Sequence, residues 1–221
     1  MKIIAIASPA GGVGKTTLAH AISVAAAEFG KKTLLIDLDP AGSLTFRLGF
    51  ENPRFTITDY LTGKSLSSEN LDLTSERFAF IPADSRLTTE LAIDSLSAFL
   101  KELPEPFDLI VLDTAPSLTQ SLKLALSVAD HIFTPVDSSL HSLRALLQLR
   151  AMTDIAVTAI ASGEVNIKEF SPILDVALIR SSEMDGLIKG NLSMLTTDKS
   201  GDVAESYRSA TYSILEILGL E

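Results

Sequence analysis

A chain of 221 residues is long enough to bury a substantial core in one domain, and its 46% hydrophobic content and mean hydropathy of +0.31 suit a parallel sheet covered on both faces. The longest apolar runs are too short to cross a bilayer, no signal peptide is expected ahead of the first strand, and the absence of cysteine excludes disulfides, thiolate metal sites and iron–sulfur clusters. A net charge of −10 argues against a generally basic nucleic-acid binder, although a local patch can sit on an acidic body. One cytoplasmic domain over 1–221 is the expectation.

Ile3-Ile4-Ala5-Ile6-Ala7 reads as a buried strand, and the alanine-rich stretch from Leu18 to Phe29 reads as a helix. Between them lies Ser8-Pro9-Ala10-Gly11-Gly12-Val13-Gly14-Lys15-Thr16-Thr17. Strand, glycine loop, Gly-Lys-Thr and helix is the context of a phosphate-binding loop, apart from Pro9 at the position where the strict pattern has glycine. Gly11, Gly12, Val13, Gly14, Lys15, Thr16 and Thr17 are therefore the candidate nucleotide-binding residues. Lys15 is expected on the β- and γ-phosphates, and Thr16 on Mg²⁺.

Residues 32–37 form a second strand ending in Asp37, followed by Leu38-Asp39-Pro40. Short helices are expected over Ser43 to Leu48 and Thr56 to Leu61, and a strand over Phe78 to Pro82. A longer amphipathic helix is expected over Leu87 to Leu103. Phe107 to Asp113 reads as a central strand with a carboxylate at its end, Leu118 to Val128 as a helix, and Ala129 to Val136 as a strand. A helix capped by Ser138 or Ser139 reaches at least Met152. Residues 153–171 are ambiguous, since Ile155 to Ala161 could extend that helix or form a short strand. Ile173 to Ile179 reads as the last strand and Val203 to Leu218 as the last helix. The alternation implies a doubly wound, mostly parallel α/β sheet with helices on both faces, the P-loop NTPase fold.

Parallel strands deliver their C-terminal ends to one sheet edge, where the phosphate loop, Asp37, Asp39 and Asp113 should meet. A phosphate–Mg²⁺ centre needs hard oxygen ligands and a group that orients water, although a lone aspartate at a strand end is often only a helix cap.

With these motifs in view, the chain resembles the ParA/MinD group of deviant-Walker ATPases, and most of all its ParA branch. Residues 11–17 resemble the first family motif. Asp37-Leu38-Asp39-Pro40-Ala41-Gly42-Ser43 resembles the second, with Ala41 in place of the usual glutamine, and Phe107 to Ser117 resembles the Walker B segment. Leu178-Ile179-Arg180 and Ala204 to Arg208 fall near the family's spacing. The resemblance implies ATP and Mg²⁺ as ligands, with Lys15 and Asp39 catalytic and Asp39 orienting the attacking water. It places Asp37 near the metal's shell, and Asp113 on the metal through water. Two features depart from the pattern. The signature lysine before the double glycine is Ala10 here, as in some carboxysome-positioning members that also lack it. The region between the long helix and Arg180 is shorter by about one βα unit.

By that resemblance the protein is an ATPase, weak without its partner, that dimerises with ATP and binds DNA nonspecifically. It would work with an adaptor such as a ParB-like protein, associate with the nucleoid rather than a membrane, and position a plasmid, chromosome or protein compartment. A P-loop synthetase, or an ATP-binding module with little hydrolysis, is the alternative. Arg180, Lys189, Lys199 and Arg208 are the candidate DNA contacts, although each taken singly reads more readily as an ordinary solvated charge. Arg150 falls on the apolar side of its helix, where it either snorkels, pairs with a local carboxylate, or reaches a dimer interface in place of the missing lysine.

Overall fold

The computed structural model describes residues 1–88, 90–116, 119–165, 168–179 and 191–221. Six strands run parallel: β1 (Lys2–Ile6), β2 (Thr33–Leu38), β4 (Ala79–Ile81), β5 (Leu109–Thr114), β6 (His131–Val136) and β7 (Val157–Ala161). A two-residue strand, β3 (Asp72–Leu73), adds antiparallel to the edge, so the described sheet has the order β3-β4-β2-β5-β1-β6-β7. Every residue of β2 and of β5 is buried, the mark of strands covered on both faces.

Strand alternation divides the core in two. Ala5, Leu34, Ile36, Ile110 and Leu112 face one layer of helices: α3 (Ile57–Leu61), α4 (Ser95–Lys101), α5 (Gln120–Leu126) and α6 (Leu140–Arg150). Ile4, Ile6, Leu35, Leu109 and Val111 face the other, built from α1 (Lys15–Glu28), α2 (Ser43–Arg47), α7 (Met194–Thr197) and α8 (Asp202–Leu218). Helix α1 is buried almost all round because it lies between the sheet and α8, which its small Ala19, Ala21, Ala25 and Ala26 permit. Helix α8 stops at Gly219, whose φ of 66° suits glycine.

Three sequence expectations change. The helix over 87–103 is confined to α4, preceded by a 3-10 turn at Ser85–Thr88. The carbonyls of Leu91 and Ile93 instead accept from the side chains of Gln120 and Ser127, at 2.6 and 3.2 Å. The ambiguous stretch after α6 resolves as β7. Residues 173–179 form no continuous strand, only bridges of Ile173 to Ala159 and Leu178 to Ser162.

Candidate functional site

Register decides what stands beside the loop that leaves β1. Ile6 pairs with Asp113, and Asp113 with Asp37. Because Asp37 shares the parity of Leu35, and Asp113 that of Val111, both carboxylates project to the side of the sheet on which α1 packs. Helix α1 begins at Lys15, with Gly14 as its N-cap, so its positive end faces this edge. Gly12 and Gly14 have φ of 71° and 93°, left-handed values that a loop closing around an anion uses and other residues avoid.

The side chains form one charged cluster. Lys15 is 6% exposed and its Nζ donates to the Ala10 carbonyl at 2.8 Å. Burial lowers its pKa, while Asp113 and Asp39 pull it back up. Asp37 is fully buried, and both its oxygens are occupied. Oδ1 accepts from the Asp39 N–H at 2.9 Å, and Oδ2 accepts from the Thr45 N–H at 3.0 Å and the Thr45 hydroxyl at 2.8 Å. Burial pushes its carboxyl up to about 6 against those hydrogen bonds. Asp39 accepts from the Ala41 N–H at 2.9 Å through Oδ1, which leaves Oδ2 without a donor among the described residues.

Asp113 is the exception. It is fully buried, and neither oxygen has a hydrogen-bond partner among the described residues. Burial, and then the neighbouring Asp37, hold its pKa well above the usual carboxylate range; the nearby Thr16 hydroxyl, outside hydrogen-bond geometry, and Lys15 act the other way. Two orphaned buried acceptors beside a phosphate loop fit water molecules on a hydrated divalent cation, which keeps several waters and takes few protein ligands. Among the described residues no three His, Cys, Asp or Glu cluster as an all-protein metal cage, so phosphate oxygens would have to complete the sphere.

A cleft of about 330 Å³ opens over this cluster, lined by Gly12, Gly14, Lys15, Thr16, Thr17 and Asp39. It is also lined by Ser43, Arg47, Thr114 and Pro116, which sequence reasoning missed. The signal was present: α2 starts directly after the Asp37–Pro40 motif, and residues four apart on a helix share a face, as Ser43 and Arg47 do. A wider cavity of about 560 Å³, between Phe46, Phe50 and Asp84, lacks the phosphate loop.

The remaining candidates stand elsewhere. The Arg150 guanidinium faces four carbonyls of its own chain, those of Ser171, Val157, Phe170 and Pro172, at 2.8 to 3.2 Å, which gives its charge a local account. Arg208 pairs with Glu28 at 2.7 Å and donates to the Lys199 and Leu195 carbonyls, tying α8 to α1. Lys199 is exposed, whereas Arg180 and Lys189 lie outside the described residues.

Comparison with known proteins adds to this geometry. Residues 1–163 match a family described as an AAA domain. The chain is 33% identical over 158 residues to the maintenance of carboxysome distribution protein A of Synechococcus elongatus, covering 67% of this chain and 63% of that protein. It is 37% identical over 153 residues to the chromosome-partitioning ATPase Soj of Thermus thermophilus, covering 67% and 59%. The match thus spans less than two thirds of each relative's length. Among solved structures, the MinC:MinD cell division protein complex of Aquifex aeolicus superposes with a TM-score of 0.84 over 98% of this chain and 96% of that one. At 20% identity this is a likeness of fold.

Proposed function

Since the chain belongs to the ParA/MinD family of P-loop ATPases, we propose that it binds and hydrolyses ATP to drive partition or positioning of a cargo. The observation that carries this reading is the convergence of the phosphate loop, Lys15, Thr16 and Asp39 on one cleft, with Asp113 buried beside Thr16 and Lys15. In this proposal Lys15 exchanges the Ala10 carbonyl for the β- and γ-phosphates, and the loop N–H groups hold the phosphates in place. Asp39 orients water for in-line attack through its open oxygen. A magnesium ion held by Thr16, by Asp113 through water and by phosphate oxygens would neutralise charge on the triphosphate.

The proposal extends to an ATP-dependent homodimer, an adaptor and nonspecific DNA. Lys199 is the exposed basic candidate, Arg208 is already engaged, and Arg180 and Lys189 enter from the sequence alone. The dimer does not rest on Arg150, whose partners are local.

The test is ATP binding and turnover by two variants. Lys15→Ala is expected to lose ATP affinity, because the phosphates lose their main charge partner. Asp39→Ala is expected to keep ATP and lose turnover. Wild-type turnover in Asp39→Ala, or wild-type affinity in Lys15→Ala, would overturn the assignment.

A further inference from the structure

Three carboxylates, Asp37, Asp39 and Asp113, surround the phosphate loop, and a nucleotide would add a polyphosphate to that negative charge. Lys15 is one cation set against them. Arg47 is the other that lines the cleft among the described residues. Its Nη1 donates to the Thr17 hydroxyl at 3.0 Å, and its side chain is half-buried.

The guanidinium is held there by a short, well-anchored helix. Leu44 is fully buried in the core beneath α2. The Thr45 hydroxyl donates to Asp37 Oδ2 and accepts from the Ala83 N–H at 2.8 Å, so α2 is fastened to the ends of β2 and β4. Ser43 and Arg47, one turn apart, then share the wall that faces the loop.

Position along the loop says which phosphate Arg47 meets. In a phosphate loop the lysine serves the β- and γ-phosphates, and the hydroxyl after it serves the metal that bridges them. Those roles fall to Lys15 and Thr16. Thr17 is the next residue into α1, one step past the hydroxyl that serves the metal, and Arg47 donates to it, which points away from the γ-phosphate end. A planar fork of N–H donors matches phosphate oxygens better than any other side chain.

We infer that Arg47 is a nucleotide-binding residue that grips the α-phosphate end, holding ATP and ADP alike. This rests on the nucleotide-binding reading above and adds a residue and a direction to it. Arg47 would retain nucleotide through the cycle rather than sense the γ-phosphate. Its contact with Thr17 preorganises the guanidinium, so little side-chain freedom is lost on binding.

The experiment is a titration of the full chain and its Arg47→Ala and Arg47→Gln variants with ATP, ADP and adenosine, in the presence of Mg²⁺. Apo melting temperatures are measured alongside. Glutamine keeps a polar stem beside Thr17 but removes the charge, and so separates binding from bracing. For both variants the expected loss is about 10- to 100-fold for ATP and for ADP equally, the range of one charge-assisted hydrogen-bonded contact, with adenosine unaffected. A loss confined to ATP would place Arg47 at the γ-phosphate and overturn the inference. Unchanged affinities with a lowered apo melting temperature would make Arg47 a brace only and overturn it too. Lys15→Ala is run in parallel. If it binds ATP as wild type does, the nucleotide reading itself has failed, whereas loss in Lys15→Ala beside intact binding in both Arg47 variants refutes the Arg47 inference alone.

Discussion

Glu76→Ala is expected to be costly although Glu76 touches no part of the cleft. Glu76 sits in the turn between β3 and β4, is 8% exposed, and joins three parts of the chain. Its carboxylate faces His20 Nε2 of α1 at 2.6 Å and accepts from the Ser193 N–H at 2.9 Å and from the Thr196 hydroxyl of α7. Alanine would strand all three partners, and His20 is only 2% exposed. A buried group left without its partner costs ~1–3 kcal/mol, and removing one member of a buried pair ~3–5 kcal/mol. Thr196 is half-buried and water can reach it, so the lower total of about 3–5 kcal/mol is expected rather than the sum of three. At about 2–4 °C per kcal/mol for a chain of this size, the melting temperature should fall by roughly 6–20 °C. The loss should depend on pH. Burial works to raise the Glu76 pKa, but His20, Thr196 and Ser193 together hold it below its usual value of 4.5. A folded-state pKa lowered in this way gives stability that is present above the usual value and lost as pH falls through the folded one. Urea denaturation followed by circular dichroism should therefore show the gap between wild type and Glu76→Gln narrowing below pH 4.5. A cost for Glu76→Ala below about 1 kcal/mol at pH 7, or a gap that does not narrow in acid, would refute this account of the network.

Arg150→Ala removes a guanidinium that faces four carbonyls, and with allowance for its partial exposure should cost about 1–2 kcal/mol in denaturant. A stability equal to wild type, coupled with loss of ATP-dependent dimerisation on a sizing column, would instead restore the interface role. DNA binding by the full chain should need ATP and weaken steeply with salt, because the acidic body repels phosphates except where basic groups gather. Nucleotide-independent or salt-insensitive binding in a filter assay would count against it.

The central strands are legible in the sequence because they are buried on both faces and therefore read as unbroken apolar runs, as at 34–36 and 109–112. The phosphate loop is legible because its glycines and lysine must stand at fixed steps between a strand and a helix. What fails is decided by partners distant in the chain. Val157-Thr158-Ala159-Ile160-Ala161 carries helix and strand formers alike, and only docking against β6 makes it β7. Residues 173–179 have strand composition. Yet Ile173 to Leu178 is five steps, set against three from Ala159 to Ser162, so the excess residues bulge and no continuous ladder forms. The 87–103 expectation fails where Gln120 of α5 and Ser127, just past its end, take the carbonyls of Leu91 and Ile93 that a helix would have used itself.

The two strand-end aspartates make the same point at the site. Asp37 and Asp113 each close an apolar run, pair in register across β2 and β5, and are equally buried. Nothing within either run distinguishes them. The difference arises eight residues after Asp37, where α2 folds back and Thr45 supplies two donors to one oxygen while the Asp39 N–H takes the other. Asp37 is thereby committed to shaping the loop that carries Asp39 and to anchoring the helix that carries Arg47. After β5 no such donors arrive among the described residues, and Asp113 keeps two bare acceptors under the phosphate loop. A buried carboxylate with unmet acceptors is costly to hold in a stable core, so it marks the place where the fold reserves room for something positive. Of the two, Asp113 has the more acceptor capacity left for a hydrated cation, while Asp37 spends most of its own on the loop it organises.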